Sequence, residues 1–457
     1  MNRVFSGRQA ALVLVEHTLV VGAILLAARL SGSHPGPLSE LLGRSMLVTI
    51  VLQVSLHYFD MYDVRTLAAS RSVLAGVLRA LAVTSLVLAV LYFFVPALAV
   101  GRGVFALATA PISLVVTGWR IAFEWLSLRG APTERILILG TSLAAVNLAR
   151  ELSERRSELG LDVVGFVDTD PQAVGRSVIG STVLGVTREI PEIVRMHRVD
   201  RVVVNLADAR GKLNMDELVV MKLNQGVRFD HLASVYEEYT GKIAVENLRP
   251  SWVIFSEGFR KTRMLTASKR ASDIVLALLG LLLAAPVMAV VAVVVRYTSP
   301  GPVIYRQVRV GKDGRLITIF KFRSMRVDAE AGTGAVWAVT KDPRVTPVGR
   351  FLRRSRLDEI PQLLNVLRGD MSFVGPRPER PEFVAELTRQ IPFYGQRHVV
   401  RPGVTGWAQV RHRYGASVED SQEKLQYDLF YIKHLSMLFD VFILTETVKT
   451  VLMRRGS

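Results

Sequence analysis

The 457-residue chain contains no cysteine, which excludes disulfides, cysteine nucleophiles and thiolate metal sites but leaves the compartment open. Acidic residues are scarce, 40 against 57 lysines and arginines, for a net charge of +17. That balance suits either nucleic acid, or an anionic bilayer together with phosphorylated small molecules. No nucleic-acid-binding module accompanies the charge, so nucleic acid is not expected as a partner. Internal repeats and low-complexity tracts are also missing. What is present is apolar: 50% of residues are hydrophobic and mean hydropathy is +0.31, high for a soluble chain. The length predicts about three domains at ~150 residues each.

Four apolar segments open the chain, at about Ala11–Leu30, Met46–Tyr62, Val73–Val95 and Val104–Trp125. Each approaches the ~20 residues that carry a helix across a bilayer. The first is too long and badly flanked for a cleaved signal peptide. Arg3, Arg8, Arg65, Arg71, Arg129 and Arg135 flank the ends that would be cytoplasmic, against Arg102 alone in the loop before the fourth segment. Arg29 and Arg44 blur that bias around the first loop. The charge rule then sets the N-terminus and everything after Trp125 on the cytoplasmic side.

From Arg135 to about Val235, short apolar runs alternate with helical patterns. Ile136–Leu139 enters a turn at Gly140, and Val163–Asp168 and Val202–Asn205 follow, a rhythm that predicts a parallel, Rossmann-like α/β module. In its first turn Ser142 and Ala145 replace two glycines of the dinucleotide fingerprint. Asp168 ends a strand, where aspartate is commonly a turn former, so no cofactor is assigned. Residues 241–265 read as a linker. Ile274–Val295 is a further apolar run interrupted by Pro286, with Lys269, Arg270 and Arg296 at its flanks. Basic residues at both ends oppose a fifth crossing and favour a helix bent at Pro286 that enters and leaves by one face. Gly334–Pro347 reads as a loop, and His434–Arg455 as a helix that is either packed or interfacial.

The densest chemistry lies in Arg350–Pro361 and Gly375–Glu379. Asp358 and Glu359 follow an arginine run, and Arg377 stands between Pro376 and Pro378. Arginine forks suit a diphosphate, and a carboxylate among them can stay ionised and attack phosphorus. A helix is predicted from Leu357, with Pro361 in its first turn and a stop at Gly369. Asp358 and Glu359 would then sit at a helix N-terminus, where the dipole lowers a carboxylate's pKa.

Lys321–Met325, Asp342–Thr346, Asp358-Glu359, Gly375–Pro378 and Arg401–Trp407 together resemble the bacterial sugar transferases that act as polyprenyl-phosphate glycosyl-1-phosphate transferases. The likeness covers roughly the last 190 residues, and the preceding parts resemble the larger members, those that start exopolysaccharide or O-antigen units. It implies a membrane protein of α and α/β class: a four-helix transmembrane region (1–130), the α/β module (131–240), the linker, and a mainly helical catalytic domain (266–457) with a re-entrant helix (270–296). It further implies that Asp358 attacks the β-phosphate of a nucleotide-diphosphate sugar, releases the nucleoside monophosphate, and yields the phosphosugar to polyprenyl phosphate. Glu359 is implied as a helper base or, with Asp358, as a Mg²⁺ ligand.

Lys321, Arg323, Arg353 and Arg377 are the expected phosphate contacts, the last pre-aimed by its prolines. Arg354 and Arg356 are assigned to the membrane surface or solvent. Lys269 and Arg270 either snorkel to headgroups or meet polyprenyl phosphate. The loop from Arg401 to Trp407 holds the nucleotide, or Trp407 anchors at the interface. A bilayer, the nucleotide-sugar and polyprenyl phosphate are the expected partners, homo-oligomers are open, and a bacterial inner membrane is the expected location. Two rival classes remain. A non-catalytic scaffold for polysaccharide export leaves the Asp358-Glu359 and Arg377 constellation unexplained. An NAD-dependent sugar-modifying enzyme lacks the turn glycines.

Overall fold

The computed structural model describes residues 7–32, 37–59, 61–62, 70–101, 103–130, 134–204, 215–224, 226–245, 258–259, 261–327, 329, 342–412, 415 and 417–452. Gly334–Lys341, most of the expected linker, and the flanking residues Arg3, Arg65, Arg102, Arg454 and Arg455 lie outside them. The chain divides into two compact units, Met1–Tyr239 and Thr240–Ser457.

In the first unit, helices α1 (Gly7–Leu30), α2 (Leu38–Tyr58), α3 (Ser70–Phe94) and α4 (Val104–Gly130) follow the four apolar runs. They pack around one apolar core that includes Val20, Ile24, Leu52, Val77 and Ile112. All four are long and apolar enough to cross a membrane, and residues such as Leu14, Leu86 and Leu114 face outward. One ion pair is buried in this core. The Arg120 guanidinium donates to both oxygens of Glu16 at 2.9 Å, with neither side chain exposed, and Tyr62 donates to Glu16 from the side. A charge so deep is tolerable only when paired, so the pair fixes the register of α1 against α4.

The same unit contains a six-stranded sheet: β1 (Glu134–Leu139), β2 (Leu161–Asp168), β3 (Ser177–Val178), β4 (Ser181–Val186), β5 (Arg201–Val204) and β6 (Arg228–His231), in the order β3-β4-β2-β1-β5-β6. Every pairing except β3 with β4 is parallel. The parallel strands therefore read 3-2-1-4-5, the order of a doubly wound sheet. Two apolar clusters cover its faces, one built on Ile136, Ile138 and Phe166 and the other on Leu137, Leu139 and Val202. Alternation along β1 sends its side chains to both. Asp168 accepts hydrogen bonds from Thr141 Oγ1 and from the backbone N–H groups of Thr169 and Asp170, the turn-forming arrangement expected of it.

The longest described helix of the second unit is α5 (Arg263–Thr298), capped by Thr262, whose hydroxyl accepts from Leu265 N–H. Its helical structure runs through Pro286, where the sequence suggested an interruption. Apolar packing on both sides holds the turn at the proline. Ala277 packs with Ile319, Val366 and Met371, and Val291 and Val295 pack with Phe322 and Leu352. The opposite face, with Leu279, Leu282, Leu283 and Val290, is exposed.

A hairpin follows, β7 (Ile304–Val310) and β8 (Leu316–Phe322), antiparallel with Tyr305 opposite Lys321. Then come α6 (Pro347–Arg354), α7 (Gln362–Arg368), β9 (Ser372–Val374), β10 (Gly403–Thr405), α8 (Val418–His434) and α9 (Met437–Leu452). β9 and β10 pair in parallel, and their backbones come so close that a Cβ on Gly375 would collide with Arg401 O. Glycine alone fits there. The largest cluster described within this unit gathers Trp407, Phe430, Tyr431 and Phe439 with Ile243 and Val245. Residues 241–245, expected as linker, are thus part of this unit's core. Their apolar side chains gain burial there that a solvated linker would forgo.

Candidate active site

Asp358 and Glu359 lie in a 3-10 turn, Leu357–Glu359, that leads into α7. The helix expected from Leu357 starts only at Gln362, with Pro361 at its N-cap. Arg356 causes the change: it adopts a left-handed conformation at φ 57° and turns the chain sharply after α6. The turn is pinned against β8 by Asn365, whose Oδ1 accepts from Phe320 N–H at 3.0 Å and whose amide donates to Thr318 O at 2.7 Å. That docking sets Lys321 opposite the carboxylates.

Glu359 is held by three cations. Its Oε1 accepts from Lys321 Nζ at 3.0 Å and from Arg377 Nη2 at 2.7 Å, and Arg356 lies 3.7 Å from Oε2. Although burial opposes it, these charges, Arg377 foremost, hold the Glu359 carboxyl well below its usual range. Asp358 behaves differently. It is 7% exposed, its Oδ1 has no hydrogen-bond partner among the described residues, and burial, reinforced by the neighbouring Glu359 charge, pushes its carboxyl up. The lowering expected from a helix terminus does not occur at Asp358, because no helix starts there and desolvation outweighs the nearby cations. The two carboxyls are thus driven apart in character, one neutralised and fixed, the other buried and unpartnered.

Arg377 is aimed by its backbone. Gly403 N–H donates to Pro376 O at 2.9 Å, Arg397 Nη2 to Arg377 O at 3.1 Å, and Arg309 Nη1 to Pro378 O at 3.4 Å. Arg397 is itself buried against Asp428 at 2.8 Å. Nothing in the sequence pointed to this second layer, since Asp428 follows Arg397 by thirty-one positions. Arg356, assigned to the surface, faces Glu359 instead; its i,i+3 spacing to that residue was the available signal.

The other expected contacts divide. Arg353 donates from Nε to Ser324 Oγ at 2.9 Å and is close enough to draw the Asp358 pKa down. Arg323 is 6% exposed; one nitrogen bonds Ser299, while Nε and Nη1 have no partner among the described residues. Open donors on a buried cation suit an anion. Lys269, Arg270 and Arg401 serve the fold. Lys269 pairs with Asp440 at 2.5 Å, Arg270 donates to the carbonyls of Val366 and Leu367, and Arg401 to Gly369 O. The last two arginines close the C-terminal end of α7, where carbonyls lack partners. Trp407 is neither a nucleotide platform nor an interface anchor. It is 2% exposed, 5.1 Å from the Phe439 ring, and donates to Gly241 O.

The site thus sets a buried carboxylate, with one oxygen unpartnered among the described residues, beside a second one clamped by a lysine and arginines. The family model for bacterial sugar transferase matches residues 264–454, and one for a CoA-binding domain matches residues 57–219. A UDP-glucose:undecaprenyl-phosphate glucose-1-phosphate transferase of Escherichia coli K12 is 38% identical over 337 residues, 72% of this chain and 70% of that protein. One of Xanthomonas campestris pv. campestris with the same activity in its name is 35% identical over 336 residues, 71% of this chain and 68% of that protein. A UDP-N-acetylgalactosamine-undecaprenyl-phosphate N-acetylgalactosaminephosphotransferase of Aeromonas hydrophila is 42% identical over 227 residues, and the match spans about half of each, 50% and 53%. The chain belongs to the bacterial sugar transferase family and is a transferase.

Proposed function

We propose that this protein moves a sugar-1-phosphate from a UDP-sugar to undecaprenyl phosphate, giving the lipid diphosphosugar and UMP, as the first membrane step of a polysaccharide. The observation that carries it is Asp358: a carboxylate oxygen without a partner, next to a Glu359 already neutralised by Lys321 and Arg377. Asp358 attacks the β-phosphorus, the bond to the UMP oxygen breaks, and the phosphosugar stays on the carboxylate until the lipid phosphate displaces it. Lys321, Arg377, Arg353 and Arg323 supply the positive charge the diphosphate requires. Glu359 Oε1 is taken by Lys321 and Arg377, so Mg²⁺ would be held by Asp358 and the second Glu359 oxygen, with substrate phosphates completing its shell. When bound it neutralises charge on the transferring phosphoryl group. Membranes incubated with labelled UDP-glucose or UDP-N-acetylgalactosamine should yield lipid-soluble label; altered water-soluble sugar would indicate a modifying enzyme, and neither outcome a scaffold.

Acid–base behaviour supplies a second check. Only ionised Asp358 attacks, so the rate rises as pH climbs through its raised pKa. Arg353 draws that pKa down. Arg353→Gln should therefore move the acid limb of the pH–rate profile to higher pH, and an unmoved limb would mean another group titrates there.

The four N-terminal helices span the membrane in this account, the Rossmann-like module and the second unit stand on the cytoplasmic face, and α5 returns to that face. Ala277 and Val295 rest on the same folded unit though ~27 Å of helix separates them. A helix leaving across ~30 Å of hydrocarbon would carry one end away from that unit. In intact cells, cysteines replacing Ser268 and Thr298 should both resist an impermeant thiol reagent until permeabilisation. Labelling of the Thr298 site from outside would mean a full crossing.

A further inference from the structure

Beside the carboxylates lies a cleft of about 250 Å³ that the catalytic steps above do not use. Arg354, Arg356 and Glu359 line it together with the apolar side chains of Ile360, Leu363 and Val451. The cleft therefore brings two arginines and the Glu359 carboxylate together with apolar side chains. Its volume is below the ~300–1,000 Å³ of pockets that enclose a whole drug-sized ligand, so it takes a head group and the first part of a chain.

Both walls lead to apolar surface. On α9, Val441, Val448 and Val451 are all exposed and share one helical face, so the wall residue Val451 continues an apolar stripe. On the other side, Leu363 touches the bare backbone of α5 at Gly280, where an added Cβ would lie 3.1 Å from its Cδ1, beside the outward Leu279, Leu282 and Leu283. None of the described lining residues carries an aromatic ring, which leaves a nucleobase nothing to stack on.

We infer that this cleft seats the isoprenyl phosphate acceptor, its phosphate on Arg354 and Arg356 and its first isoprene units along Ile360, Leu363 and Val451. The assignment rests on the transfer activity proposed above and adds to it where the lipid approaches Asp358. In it, Arg354 and Arg356 bring the attacking phosphate oxygen up to the carboxyl-bound phosphosugar.

The cysteine-free chain allows a direct test that needs no turnover. Thr450 lines the cleft and its hydroxyl donates back to its own helix, at Glu446 O, so Thr450→Cys is a mild change. Farnesyl phosphate should slow alkylation of that cysteine in the full-length protein at least about ten-fold at saturation, with farnesol much weaker and UDP-glucose without effect. Alkylation that farnesyl phosphate leaves unchanged, or that UDP-glucose slows equally, would overturn the assignment. Should Thr450→Cys fold poorly, Val451→Cys on the same wall gives the same readout. Wild-type transfer of labelled sugar, measured in parallel, separates failure of this assignment from failure of the activity itself.

Discussion

Purified Asp358→Asn protein should lose transfer by on the order of 10³-fold or more, while unfolding at the wild-type temperature. The amide preserves shape but has no oxygen able to attack phosphorus. The fold loses nothing, since Asp358 Oδ1 has no hydrogen-bond partner among the described residues and burial already disfavours the charged form. Separation of activity from stability is the informative result. An Asp358→Asn protein that turns over like wild type would remove the nucleophile from the account.

The second large effect concerns where the catalytic unit begins. A chain starting at Thr240 should fold and transfer sugar-phosphate in detergent, whereas one starting at Thr266 should be badly destabilised. The longer piece keeps Ile243 and Val245, each 2% exposed, the Trp407 bond to Gly241 O and the Lys242–Glu423 pair at 2.6 Å. Two buried aliphatic side chains and one buried hydrogen bond come to about 4–7 kcal/mol, a large part of the ~5–15 kcal/mol that holds a domain together. Thermal unfolding of the Thr266 piece should lie roughly 10–25 °C lower. Equal stability of the two pieces would return residues 241–245 to the status of linker. A folded but inactive Thr240 piece would mean the earlier unit contributes to the site.

Much of this was legible in sequence, and the rest failed for identifiable reasons. The four apolar runs and the strands around Ile136, Val163 and Val202 were readable because hydrophobic period and turn residues are local signals. Glu359, Lys321 and Arg377 were readable as charges in a motif order, and the structure brings them together as ion pairs beside Asp358. The backbone of Asp358 was not legible: a left-handed Arg356 has no signature in a non-glycine residue, and it converts an expected helix start into a tight turn. Burial reversed the expected direction for Asp358's pKa, and burial is a tertiary property. Lys269, Arg270 and Arg401 show the same limit, since a cation held by a distant carboxylate or by backbone carbonyls reads in sequence like one waiting for phosphate. Residues 241–245 were misassigned because their partner, Trp407, lies more than 160 positions away.

The central claim is a phosphosugar carried on Asp358, and the most direct measurement omits the lipid. Enzyme mixed with UDP-sugar alone should release UMP in a burst approaching one per active chain and gain the mass of the sugar phosphate on the peptide containing Asp358. Asp358→Asn should show neither. A wild-type enzyme that leaves UDP-sugar intact and unmodified until polyprenyl phosphate is added, then releases UMP and transfers at full rate, would contradict the covalent step.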